Sequence, residues 1–161
     1  MPLPSEVKIY SSTNMLGGEI TTQEIPDDAL HAVFPPIDGA TAQEGKIEYA
    51  CIYLKNVSSD TLFRVRIYIK SQPDSRSIKE SFAIGFDPQP GSPVQTIDNI
   101  TTAPSGVNFT TPTSEDDAIE IPIFPAGEVR AIWLRRTIPA GTQPTGIAKC
   151  VLGISFVKVV T

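Results

Sequence analysis

The sequence predicts an all-β protein: a single antiparallel β-sandwich, jelly-roll or Ig-like, with at most one short helix. Three observations carry that prediction. The 15 prolines and 11 glycines are spread along the 161 residues, so they punctuate many short elements. Several runs alternate apolar and polar residues with period two, as half-buried strands do. Only one segment reads as helical. The length fits one domain over residues 1–161, with an extended N-terminal segment over about residues 1–20.

The elements follow in order. Val7-Lys-Ile-Tyr10 is a short strand that Gly17-Gly18 breaks off. Ile25 to Phe34 forms the helical turn. Pro26 suits a first helical position, Asp27 and Asp28 suit the positive end of the dipole, and Pro35-Pro36 stops it. Ile47 to Lys55 is a strand with two apolar faces, Tyr49, Cys51 and Tyr53 against Ala50, Ile52 and Leu54. It is therefore expected to be central and covered on both sides. Asn56 to Asp60 is turn chemistry. Leu62 to Lys70 alternates, with Phe63, Val65, Ile67 and Ile69 toward a core and Arg64, Arg66, Tyr68 and Lys70 outward. The two runs together read as an antiparallel hairpin.

Ser77 to Phe86 gives a third long strand, with Phe82, Ile84 and Phe86 inward and Ser81, Ala83 and Gly85 opposite. Val94 to Ile97 is a weaker strand. Residues 101–117 are rich in Thr, Ser, Pro and acid and read as a long surface loop, mobile or a contact element. Ala118 to Ile123 alternates again, and Gly146 to Val160 supplies the last strand. Between them lies a strand bracketed by two copies of one turn tripeptide, Pro125-Ala126-Gly127 and Pro139-Ala140-Gly141. It carries the only tryptophan, Trp133. Val129, Ala131, Trp133 and Arg135 share one face, and Arg130, Ile132, Leu134 and Arg136 share the other. Such a strand suits a sheet covered on one side by the domain's own core and on the other by something else.

Composition narrows the function classes. The formal net charge is -5 and the pI is near 4.8, which argues against a general nucleic-acid binder. No apolar run approaches the roughly 20 residues that cross a bilayer. The Met-Pro-Leu-Pro-Ser-Glu start lacks the basic and apolar regions of a secretory signal and reads as a chain made and kept in a cytoplasm. On that reading the sequons at Asn56, Asn99 and Asn108 are accidental. Cys51 and Cys150 both sit in apolar strand text. Two buried thiols and a disulfide joining neighbouring strands both remain open.

Catalytic chemistry is hard to find in the residues. A triad would need the single histidine, His31, and there is no Gly-x-Ser-x-Gly elbow. No His or Cys pair has zinc-ligand spacing. Glu115-Asp116-Asp117, with Glu120 nearby, is the densest acidic cluster, but it lacks the alternating ligands and turning glycine of a calcium loop. Glu48 and Glu80 lie in strand text with nothing linking them as a carboxylate pair. The expectation is no enzyme, no catalytic residue, no metal and no cofactor. The candidate interface residues are Arg64, Arg66, Arg130, Trp133, Arg135 and Arg136, because Arg and Trp favour protein interfaces. Charged edges that block sheet aggregation and a core tryptophan are the competing readings.

Several segments also carry a family resemblance. Glu48-Tyr-Ala-Cys-Ile-Tyr-Leu-Lys-Asn56 resembles the Glu-Tyr-Arg-Cys-Ile-Tyr-Val-Lys-Asn block of a group of tailed-bacteriophage virion structural proteins. Asn99-Ile-Thr-Thr-Ala-Pro-Ser-Gly-Val-Asn-Phe109, then Pro125-Ala-Gly127 and Arg130-Ala-Ile-Trp-Leu-Arg-Arg-Thr137, is similar to a second block, and Leu16-Gly-Gly-Glu-Ile20 to its start. Ala50 stands where the pattern has a basic residue, and the C-terminal strand matches poorly. The resemblance spans about residues 16 to 140 and implies a virion component assembled in the bacterial host cytoplasm. It carries no catalytic site. The leading expectation is a capsid decoration or cement protein that binds the major capsid protein or other virion proteins and stabilises the shell through its loops and N-terminal segment. It is expected to be a homo-oligomer, with no nucleic-acid or membrane partner. The alternatives are a tail, neck or baseplate component, and a carbohydrate-binding β-sandwich using Tyr49, Tyr53, Tyr68 or Trp133 as stacking platforms.

Overall fold

The structure is a computed structural model and describes residues 5–25, 34, 44–71, 81–138, 140–141 and 151–158. It is all-β and antiparallel. The strands are β1 (Val7–Ser12), β2 (Gly17–Gly18), β3 (Ile20–Glu24), β4 (Lys46–Asn56), β5 (Leu62–Ser71), β6 (Ser81–Phe86), β7 (Val94–Thr96), β8 (Ile119–Phe124), β9 (Val129–Ile138) and β10 (Val151–Lys158). A five-stranded sheet runs β3-β1-β4-β9-β6. A three-stranded sheet runs β10-β5-β8, and β2 pairs β7 in a small ribbon. The expected helical turn falls almost wholly on residues 26–33, outside the described residues, as do residues 77–80, Cys150 and His31. Ile25 and Phe34, which flank that turn, are both buried in the core.

One apolar cluster joins the two larger sheets. Val7 and Ile9 of β1, Ala50, Ile52 and Leu54 of β4, Phe82 and Ile84 of β6, and Ile132 and Leu134 of β9 meet Leu62, Val65, Ile67 and Ile69 of β5. Ile121 and Phe124 of β8 and Leu152 of β10 complete it. Burying so many branched side chains, at about 1.5–3 kcal/mol each, is the main force holding the layers together.

The two apolar faces of β4 do place it centrally, between β1 and β9. Its pairing with β9 is in register from Lys46↔Ile138 to Lys55↔Val129. The expected β4–β5 hairpin does not form. With both edges of β4 taken, the chain must leave the sheet, and residues 57–61 arch across to the other layer. Asn56 anchors that arch. Its buried amide donates to Asp60 O and Phe124 O, at 2.8 Å each, and its Oδ1 accepts from Ser58 N at 3.0 Å. An amide so enclosed is closed to a glycan.

Two further expectations change. Phe63 does not point to the core. Arg64 takes a left-handed φ of 51°, and the register against β10 shifts between Ser155 and Val157. This bulge turns Phe63 and Arg64 outward together while Leu62 and Val65 stay buried. The N-terminal segment is not an extended arm from Val7 onward: β1 lies inside the sheet, because Val7 and Ile9 alternate into the core at 1% exposure. Residues 101–117 are the expected surface loop, mostly exposed, and their backbone is stitched to the strands. Just ahead of them Tyr49 N donates to Ile100 O at 2.7 Å; within them, Ile84 and Thr110 exchange both bonds at 2.9 Å, and Ile69 N donates to Pro112 O at 2.8 Å. The last two contacts cap the edge of β6 and tie the two layers together.

Candidate interaction surface

The five-stranded sheet has its outer face covered by the chain itself. Cys51 and Tyr53 of β4 and Ala131 and Trp133 of β9 pack under Val94 and Ile97, with Leu16, Ile20, Val107 and Phe109 around them. Trp133 is fully buried, and its indole N–H donates to Asp87 Oδ2 at 2.8 Å. Asp87 also accepts from Gln95 Nε2 at 3.0 Å and Gln89 N at 2.9 Å, so a buried carboxylate fixes the covering segment over the indole. The second cover expected from a foreign partner is therefore intramolecular. A few apolar residues in an otherwise polar loop were enough to supply it.

Burial explains the perturbed groups on this face. Desolvation pushes the Cys51 thiol up to about 12 against a reference of 9.0. Cys51 is a free cysteine. The Tyr53 phenol is raised by the same desolvation, and its O–H donates to Gly18 O. With Tyr53 and Trp133 at 0% exposure, neither ring is open to a saccharide.

The candidate arginines divide by position. Arg136 is buried on the inner face, with Nε donating to Glu48 Oε1 at 2.9 Å and its guanidinium carbon 4.8 Å from the centre of the Phe34 ring. Arg130 lies over the Phe86 ring at 4.7 Å and donates to Asp87 O at 3.3 Å; burial lowers its pKa. Arg135 lies over the Phe109 ring at 5.2 Å. Trp133 and Arg136 are thus buried in the fold, and Arg130 and Arg135 are half-buried against aromatic rings.

Arg64 and Arg66 differ. They stand on the outer face of the three-stranded sheet, where Arg64 Nε lies 3.3 Å and Arg66 Nε 3.2 Å from Glu120 Oε1. Arg66 also approaches Glu115 at 4.0 Å. The hydrogen bond from Arg66 is the main reason that the Glu120 carboxyl is held below the usual carboxylate range. Beyond the bulge, Val157 pairs with Phe63 and Phe63 with Ile123, a row across all three strands. Ile123 is 58% exposed and Val157 51%. The sequence reading missed this row because it assigned Phe63 and Ile123 to ordinary alternation. The one available signal is the adjacent apolar pair Ile123-Phe124, which breaks the alternation of β8.

The acidic cluster is self-contained. Ser114 caps the short turn Glu115–Asp117, and Asp117 Oδ1 accepts from Thr113 N and Ser114 N at 3.0 Å each. Among the described residues no three His, Cys, Asp or Glu converge on a metal-holding point. A shallow depression of about 400 Å³ lined by Pro90, Gly91, Gly127, Glu128 and Val129 offers a single carboxylate. Compared with known proteins, the chain matches no family model, no curated protein and no solved structure at a significant level.

Proposed function

We propose that this protein is a non-enzymatic structural component of a tailed-phage virion, a decoration or cement protein that binds the assembled capsid. One observation carries the reading. The segments that resemble the phage group come together in space although they are far apart in sequence. The block 48–56 is β4 and the block 130–137 is most of β9, its in-register neighbour. The block 99–109 lies across them through Tyr49 N to Ile100 O and the Tyr49–Phe109 ring pair, centroids 5.6 Å apart. Gly17, in the block 16–20, comes so close that an added Cβ would lie 3.1 Å from Trp133. A resemblance that maps onto one packed unit is a resemblance of scaffold. A scaffold presenting ion-paired arginines and loops, rather than a charged cleft, suits a protein that binds other proteins.

Copy number tests it. Quantitative mass spectrometry of purified virions should find the chain in numbers comparable with the capsid protein, in the hundreds for an ordinary shell. A handful of copies per particle would move it to the neck, tail or baseplate. Absence from virions would end the virion reading altogether.

A further inference from the structure

The two outer faces of the molecule are unequal. The chain folds its own 16–20 and 94–109 segments over the five-stranded sheet. Over the three-stranded sheet the described residues leave Phe63, Ile123 and Val157 in a row, beside Arg64, Arg66, Glu115 and Glu120. We infer that this open face is a self-pairing surface, on which two copies of the chain pack face to face about a two-fold axis. The pairing goes beyond the virion reading and does not require it.

Charge selects the second copy as the occupant. A two-fold contact places a patch against itself, so the patch must be self-complementary. This one carries both signs in equal number, two arginines and two glutamates around the apolar row. The pair Lys158–Asp60, 3.0 Å apart, stands at the near end, and Lys70 is exposed at the far end. The whole chain is acidic, with net charge -5. Two copies therefore repel over most of their surfaces and can approach only where the charge is balanced. A strongly acidic or basic partner would call for a face of one sign.

The geometry also favours stacking over edge pairing. Pro122 lies in β8, an edge strand, where it removes a backbone donor and hinders strand addition there. Tyr68 lies flat against Gly153 of β10: a Cβ added to Gly153 would sit 2.3 Å from the ring. That keeps the middle of the face low enough for another sheet. Three strands about 4.8 Å apart and eight residues at about 3.3 Å each span roughly 14 by 26 Å. Two such faces bury on the order of 750 Å² before side-chain relief, below the roughly 1,000 Å² of a stable interface and in the range of a transient one. Pairing is thus weak and concentration-dependent.

The test is sedimentation velocity of the full chain from about 1 µM to about 500 µM, the range a small interface requires. The wild type should pass from monomer to dimer. Ile123→Asp and Val157→Asp should each shift the midpoint upward by more than about tenfold. Arg64→Glu should do the same, and adding Glu120→Arg should restore pairing, because the swap re-creates a balanced face. Emission from Trp133, buried on the opposite side of the molecule, reports whether each variant is folded. If an aspartate variant loses that signature, the charge-swap pair decides. A wild type that stays monomeric throughout overturns the inference. So does an Ile123→Asp dimer of wild-type affinity, provided that the charge swap also has no effect. A monomeric wild type whose binding to purified capsids is lost in Ile123→Asp would give this face to the capsid, and self-pairing would again be wrong.

Discussion

The buried ion pair between Glu48 and Arg136 makes the sharpest prediction about stability. The two residues face each other across β4 and β9 on the inner side of the sheet, with Phe82 on the other flank of Arg136. Their side chains are 1% and 6% exposed. Lys46, 3.6 Å from Glu48 Oε2, is the second cation within reach. Glu48→Met removes the charge and both acceptor oxygens while keeping a side chain of similar length. It leaves the Arg136 guanidinium in the core against Phe34 without its Glu48 carboxylate. Breaking one side of such a pair costs about 3–5 kcal/mol. For a domain of this size that lowers Tm by about 6–20 °C, at about 2–4 °C per kcal/mol. Replacing both partners, Glu48→Met with Arg136→Met, removes the buried guanidinium as well and should recover most of the loss, since apolar substitutes for buried pairs are often neutral. Urea unfolding followed by Trp133 fluorescence measures both variants and the wild type, because the chain has one tryptophan and it is buried. A single-variant loss under about 1 kcal/mol, the level of an exposed pair, would refute the reasoning. So would a double variant no more stable than Glu48→Met alone.

Two other predictions rest on single residues. Gly17 has φ +94°, and an added Cβ would lie 2.0 Å from the backbone oxygen of Gln95. Gly17→Ala should therefore cost about 2–6 kcal/mol, from left-handed strain and overpacking together. Gly153→Ala meets only the far end of the Tyr68 ring, which can swing toward solvent, and should cost less than about 1 kcal/mol; equal losses in urea unfolding would contradict this. The Cys51 thiol, raised to about 12, favours the protonated form in the folded state. Its contribution to stability is complete below the unfolded value near 9.0 and is lost as pH rises from there through about 12. Stability should fall across that alkaline window, and less steeply in Cys51→Ala. Peptide-level mass spectrometry at pH 8 should find Cys51 unalkylated in the native chain and alkylated in urea, and rapid native labelling would sink the argument.

What the sequence made legible was set by periodicity. The strands β4, β5 and β9 follow from alternation, and the central place of β4 from its two apolar faces. Periodicity names the faces of a strand but not its edge partners, so the pairing of β4 with β9 instead of β5 could not be read from it. Local chemistry misled at Arg64, because a positive φ at an arginine has no sequence signature of the kind glycine would give. The Glu48–Arg136 pair joins residues 88 apart, and spacing along a chain says nothing about such a contact. The segment 101–117 is the solvent-facing loop that its Thr, Ser and Pro predict, but not all of its apolar residues face solvent. Two of those, Val107 and Phe109, pack over the second core and help make the segment a cover.

Those corrections bear on where function can reside. Four of the six arginine and tryptophan positions that looked like an interface are buried or half-buried in the scaffold, and they lie in the segment with the resemblance. Residues that hold β4, β9 and the covering loop together must suit one another whatever the protein binds. Partner choice has to lie on surfaces the framework leaves free. Among the described residues, the outer face of the three-stranded sheet combines exposed apolar side chains with charge of both signs. Substitutions there should change association while leaving the emission of Trp133 unaltered. Substitutions at Trp133, Arg130 or Arg136 should disturb both, because those side chains reach a partner only through the fold.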